Sequence, residues 1–281
     1  MENPLMSKMD VISGVAEFVH DEEFLFFASV SRDWKTVWGI RPTVTRAVTA
    51  DTSISQLQHS LECGYWHDDV CHILARHGKL AVLQWARENA CPWDQLTCWE
   101  AGEGGHLDVL RWAHENGCPW HEATCGAAAE GGGHLPVLQW ARENGCPWDE
   151  STCTWPASRG YLSVLKWARE NGCPWNEHTC TNAARGGHLH VLQWARENGC
   201  PWNKSTCTMA AGGCHLHVLQ WARENGCPWD EDTCKAVAFW GDLSILKWAR
   251  ENGCPWNEST CMEAAEGGHL HVLQWARENG C

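Results

Sequence analysis

Tyrosine and phenylalanine are scarce in this chain of 281 residues, with 2 and 5 copies, and methionine occurs only 5 times. Almost all of the aromatic surface is therefore tryptophan, at 21 residues, and so strong a bias points to a short unit copied many times. Cations are also in short supply. The 21 Lys and Arg face 35 Asp and Glu, for a net charge of −14. A nucleic-acid partner is excluded, because its binding face needs excess cations to replace condensed counterions. No run of about 18 apolar residues occurs, so no membrane-spanning helix is expected. Met1 to Asp10 shows no basic segment leading into an apolar one, so the chain is read as intracellular, cytoplasmic or nuclear. There is no phosphate loop, no dinucleotide glycine fingerprint and no nucleophile elbow, so neither an enzyme nor a bound cofactor is expected. With 44% hydrophobic and only 20% charged residues, the chain is not of the disordered class.

What is present is a repeat. The tripeptide Cys-Pro-Trp begins at 91, 118, 146, 173, 200, 227 and 254, and the sequence stops at Cys281. The interval is 27 residues, with a single 28 where Gly131-Gly132-Gly133 carries one extra glycine. One period before Trp93 and Cys98 lie Trp66 and Cys71, so a degenerate first unit occupies roughly 53–79. The chain thus divides into a head, residues 1–50, and an array of about eight units, residues 51–281. Fourteen of the 18 cysteines fall into seven pairs of one spacing, such as Cys173 and Cys180, and are copied with the unit. With no export signal and a chain long enough to build a core, these are expected to be reduced, buried thiols.

The unit Asn176 to Trp202 contains two helical stretches. Asp or Asn follows the Trp at Asp94, Asp149, Asn176, Asn203, Asp230 and Asn257, with His121 the exception. Such residues cap a helix N-terminus by accepting an orphan backbone N–H. The Trp before the cap and the Cys four residues after it occupy the positions of a hydrophobic staple. Cys180, Ala183 and Ala184 then form a narrow face of small residues, and Gly186 or Gly187 ends the helix. The second helix is predicted over about 189–198, with Leu189, Val191, Leu192, Ala195 and an edge of Trp194 as its apolar stripe, and Gln193, Arg196 and Glu197 facing outward. Gly199 stands where a helix end needs positive φ, and Pro201 stops continuation. Helices of roughly 15 Å are marginal alone, so neighbouring units must stack into an all-α solenoid. Pro156 falls inside a first helix and is expected to loosen it, Pro136 falls in a first turn where proline is tolerated, and Ala90 replaces the usual helix-ending glycine.

The string Ala183-Ala184-x-x-Gly187-His188-Leu189-x-Val191-Leu192, followed by Asn198-Gly199-Cys200, resembles the ankyrin repeat, and it recurs at Ala264-Ala265 through Leu273. The resemblance covers 53–281. It implies stacked helix-turn-helix units whose first helices line a concave face, with Cys180 and Cys200 on buried family positions and the histidine stabilising the turn. Ankyrin units run to about 33 residues. The missing residues fall where ankyrins extend a hairpin finger, so little or no sheet is expected.

In the head, Asp10-Val11-Ile12-x-x-Val15-x-x-Phe18-Val19 reads as an amphipathic helix, followed by Val30-Ser31-Arg32-Asp33-Trp34. The latter string is similar to the V-S-x-x-W near the end of an F-box, although the opening Leu-Pro is replaced by Met9-Asp10. That resemblance implies docking of a Skp1-like subunit of a cullin ubiquitin ligase through Val11, Ile12, Phe18, Val30 and Trp34. A plain helical cap on the first unit's open face is the alternative.

Zinc is not expected. Cys pairs stand six residues apart in the intervening count and histidines recur at i, i+2, unlike the close ligand pairs of structural zinc. Repeated Arg-Glu pairs such as Arg142/Glu143, Arg169/Glu170 and Arg196/Glu197 read as surface, because a catalytic group is placed once. The positions that vary inside the fixed frame carry the information: Trp99, Glu100, Trp155, Arg159, Asn182, Met209, Lys235, Phe239, Trp240 and Glu263 on the first helices. They are the candidate protein-binding residues, with large aromatics as anchors. A non-enzymatic, monomeric protein-binding scaffold is the resulting expectation, in its sharper form a ligase substrate adaptor. A Cys/His metal-binding repeat protein is the remaining alternative. The stop at Cys281, one residue short of another Pro-Trp, is expected to mean either a fragment or an exposed last helix.

Overall fold

The computed structural model describes residues 69–281 except Glu122, together with 53–55, 57 and 58. The head and its five proposed docking residues lie outside the described residues. Among the described residues the protein is all-α, with sixteen helices and no strand. The helices come in pairs: α1 (Val70–Arg76) and α2 (Leu80–Glu88), α3 (Gln95–Glu103) and α4 (Leu107–Glu115), α5 (Thr124–Gly131) and α6 (Leu135–Glu143), α7 (Ser151–Arg159) and α8 (Leu162–Glu170). They continue as α9 (Glu177–Arg185) and α10 (Leu189–Glu197), α11 (Lys204–Gly212) and α12 (Leu216–Glu224), α13 (Glu231–Trp240) and α14 (Leu243–Glu251), and α15 (Glu258–Glu266) and α16 (Leu270–Glu278).

The described residues form two compact units, one running up to Ala101 with Asp108–Pro119, the other Gly102–Leu107 with Trp120–Cys281. In the first, α1 packs on α2, and Leu74, Ala75, Leu83 and Ala86 are fully buried. In the second, the first helices α5, α7, α9, α11, α13 and α15 pack side by side, and each also packs on the second helix that follows it. This is a helical repeat solenoid. Its core takes Cys180, Ala183 and Ala184 from a first helix and Val191, Leu192 and Ala195 from a second, all fully buried. Small side chains on the first helices let their backbones approach on both sides. Burying one Val and one Leu per unit contributes roughly 3–6 kcal/mol before the entropy of ordering is subtracted.

The helix ends follow local chemistry. Asn176, Asn203, Asp230 and Asn257 cap α9, α11, α13 and α15, each side chain accepting the backbone N–H two residues on. His121, which breaks the Asp/Asn pattern, fills the same place: its Nδ1 accepts from the Ala123 N–H at 3.0 Å. At the end of α10, the Cys200 N–H donates to Ala195 O at 2.9 Å and the Gly199 N–H to Arg196 O at 3.1 Å, with Gly199 at φ 83°. This is a Schellman closure, and the Asn198 amide adds a bond to Trp194 O at 2.8 Å. Ala90 adopts the same left-handed conformation at φ 61°.

Pro156 does not interrupt its helix: α7 runs through it to Arg159 with the length of its neighbours. The proline is buried among the core residues, which offsets the missing N–H bond to Thr152 O. Trp194 is half-buried and packs an edge against the core, as the stripe predicts.

Candidate functional site

The cysteine pairing in space differs from the pairing in sequence. Cys180 faces Cys200, twenty residues on, rather than Cys173. The Cys200 Sγ donates to Asn176 O at 3.4 Å, tying the loop after α10 to the cap of α9. The neighbouring Cys200 thiol, and burial after it, push the Cys180 thiol far above its ordinary value, so it is protonated and inert. Among the described residues no disulfide forms, 14 of the cysteines are buried, and only Cys214 is exposed. No cluster of three or more potential metal-ligating side chains exists among the described residues.

The histidines join one unit to the one before it. His188 Nε2 lies 3.1 Å from Ser158 O, and His215 Nε2 lies 3.0 Å from Arg185 O. His190 and His271 reach Gly160 O and Gly241 O at 3.3 and 3.2 Å. The rings sit on glycines of the preceding unit. A Cβ at Gly160 would stand 2.7 Å from His188, and one at Gly187 would stand 2.7 Å from His215. One unit breaks the rule on both sides of the contact. Cys214 holds the glycine position at φ 60°, and the next unit carries Asp242 where the ring would be. Burial holds the His188 and His134 imidazoles below their ordinary value.

The repeated arginine, expected to face outward, is committed to the protein. The Arg196 guanidinium lies 4.1 Å over the Trp202 ring and donates to Cys200 O. Arg142, Arg169, Arg223 and Arg250 repeat the stack on Trp148, Trp175, Trp229 and Trp256 at 4.1–4.3 Å. Each of these tryptophans also meets the next second-helix tryptophan edge-on. Trp175 pairs with Trp194 at 5.8 Å and Trp202 with Trp221 at 5.9 Å. The partner of the tryptophan before the cap is therefore this second tryptophan.

The ten candidate first-helix residues separate into two groups. Glu100 pairs with Arg76 at 3.3 Å, Arg159 with Glu130 at 3.4 Å and Lys235 with Asp232 at 3.0 Å. Asn182 donates to His178 O in its own helix. These four side chains are spent inside the chain. The Asp232 carboxylate raises the Lys235 ammonium, and Lys235 lowers Asp232 in return, but the pair is solvent-accessible and such pairs contribute little stability. Trp99 and Glu263 are half-buried, as is Phe239. Trp155, Met209 and Trp240 are exposed, at 41%, 36% and 60%, and Met262 beside Glu263 is exposed at 67%. Phe239 meets Trp240 at 5.4 Å and 88°. The two large indoles lie over helix glycines: a Cβ at Gly126 would stand 3.6 Å from Trp155, and one at Gly212 would stand 3.7 Å from Trp240.

On the second-helix side, Gln193, Arg196, Glu197, Trp202, Trp221 and Asn225 line a groove of about 340 Å³. The sequence reading assigned these residues to frame and surface. The signal that could have found the groove is the shared period of Trp202 and Trp221, 19 residues apart in every full unit except the one with the extra glycine, where Trp120 and Trp140 are 20 apart.

Compared with known families, the chain matches no family model, and no curated protein matches it in sequence. No helix among the described residues is long and apolar enough to cross a membrane.

Proposed function

We propose that this protein is a non-enzymatic protein-binding scaffold of ankyrin type, which presents its variable first-helix positions to a partner. The observation that carries this reading is the exposure of Trp155, Met209, Trp240 and Met262, large apolar side chains at positions outside the repeated frame. An exposed apolar side chain favours desolvation by a partner, and aromatic residues dominate interface energetics. Beyond residue 50 the array holds 16 basic and 28 acidic residues, a net charge of −12, which favours a basic or mixed-charge partner through steering. The sharper form of the proposal is a substrate adaptor whose F-box-like head docks a Skp1-like subunit, and the string Val30-Ser31-Arg32-Asp33-Trp34 supports it.

Two measurements test the proposal. Partners captured by the whole chain are compared with those captured by Trp155→Ser/Trp240→Ser, whose helix content is expected to be unchanged while capture falls. Capture that survives this change places the binding face elsewhere. Purified Skp1-like protein is expected to bind the whole chain and not a chain lacking residues 1–50, and absence of binding to the whole chain removes the adaptor role while leaving the scaffold.

A further inference from the structure

The groove on the second-helix side has a chemistry of its own. The indoles of Trp202 and Trp221 meet edge to face, 5.9 Å apart at 65°, and together line one side of it. Among the described residues neither indole N–H has an acceptor, and the Gln193 amide is likewise without a partner. The Asn225 amide nitrogen is taken by Trp221 O, which leaves its Oδ1. Arg196 is engaged by the Trp202 ring and Cys200 O, whereas the exposed Glu197 carboxylate is in no ion pair among the described residues. The crevice therefore offers apolar walls, unfilled donors and a free carboxylate.

The next unit repeats it. Trp229 and Trp248 meet at 5.9 Å and 68°, and Gln220, Arg223 and Glu224 stand in the same places. On either side of these two crevices a lysine replaces the glutamine: Lys166 lies 5.9 Å from the Trp194 ring and Lys247 lies 5.8 Å from the Trp275 ring. These two glutamine-bearing crevices are thus adjacent and bounded by lysines, and a further glutamine, Gln139, stands in the same place beside the Trp148/Trp167 pair.

A repeated crevice cannot choose among ordinary partners, but it matches a partner whose own chemistry repeats. We propose that the Trp202/Trp221 and Trp229/Trp248 crevices bind a basic, proline-rich segment of another protein in the polyproline II conformation. Proline rings fill an aromatic-walled crevice, and a proline carries a carbonyl acceptor without an N–H, which suits a surface of unfilled donors. Packed helices stand roughly 8–10 Å apart and three residues of polyproline II advance about 9 Å, so consecutive turns of one segment meet consecutive crevices. Basic side chains of the segment meet Glu197 and Glu224 within an array of net charge −12. A neutral sugar polymer is disfavoured because it carries no cations to meet the Glu197 and Glu224 carboxylates.

Fluorescence anisotropy of a labelled (Pro-Pro-Arg)4 peptide titrated with the full chain tests this. The expected result is binding at least tenfold tighter than to (Gly-Ser-Arg)4 or (Pro-Pro-Glu)4. Glu197→Lys/Glu224→Lys is expected to weaken it at least tenfold with the circular dichroism spectrum unchanged, and Glu197→Gln/Glu224→Gln to weaken it less. Cellohexaose is expected not to displace the peptide. Equal binding of the two basic peptides, binding unaffected by charge reversal, displacement by cellohexaose, or no binding of (Pro-Pro-Arg)4 would each overturn the proposal. The first-helix reading is untouched by any of these outcomes, because Trp155 and Trp240 lie on other elements.

Discussion

Replacing Gly187 by alanine separates two roles that glycine plays in this array. Gly187 and Gly199 both have positive φ, at 74° and 83°, so alanine at either loses about 1 kcal/mol to backbone strain. Around Gly199 a Cβ would meet nothing within 4 Å, whereas at Gly187 it would stand 2.7 Å from Cε1 and Nδ1 of His215. The ring has to move, and it cannot do so while keeping its bond to Arg185 O. A lost hydrogen bond of this kind costs about another 1 kcal/mol. Gly187→Ala is therefore expected to cost about 2–3 kcal/mol and Gly199→Ala about 1 kcal/mol. Urea unfolding followed by far-ultraviolet circular dichroism reads both, with the slope checked because repeat arrays do not always unfold in one step. In a His215→Ala background the excess cost at Gly187 should vanish. The pair Cys214 and Asp242 is the natural precedent, a side chain tolerated where the facing ring is missing. Equal costs at Gly187 and Gly199 would refute the idea that the ring contact, rather than φ alone, demands glycine.

Other consequences follow from the same structure. Ala90→Gly should stabilise by about 1 kcal/mol, because Ala90 holds φ 61° in a turn where later units carry glycine, and a lower unfolding midpoint would contradict the strain. Lowering pH from about 7 to 5 should destabilise the fold: His134 and His188 titrate below the ordinary value near 6.5 in the folded chain, so the unfolded chain takes the protons first and stability falls with pH through that window. Unfolding midpoints that are flat or rise toward pH 5 would show that these rings are not buried as described. Among the described cysteines of the native protein, Cys214 should react first with a thiol reagent, slowly because burial and Asp242 raise it, while the core thiols react only on unfolding. Fast modification of Cys180 or Cys200 would show that the core is open.

The helix boundaries were legible because their causes lie within a few residues. Asn176 caps the N–H two positions on, and Gly199 closes α10 through bonds to Arg196 and Ala195. The small-residue face of Cys180, Ala183 and Ala184 and the stripe of Val191, Leu192 and Ala195 followed from helical period, and stacking followed from helices too short to stand alone. Of the candidate residues, Trp155, Met209 and Trp240 are exposed, since large apolar residues outside a fixed frame have no core position to fill.

Partners across the stack were decided by the tertiary structure. A 27-residue period says that two residues recur together but not which copy of one meets which copy of the other. Cys180 could face Cys173 or Cys200, and only the antiparallel return of α10 along α9 puts Cys200 beside it. Arg196 could extend into water, but the turn after α10 brings Trp202 under its guanidinium. His215 bonds a carbonyl thirty residues earlier, and Arg159 and Lys235 enter ion pairs because the neighbouring first helix brings a carboxylate to one and its own helix to the other. Caps and stripes depend on backbone geometry that every helix shares, whereas these contacts depend on how one helix is laid against the next.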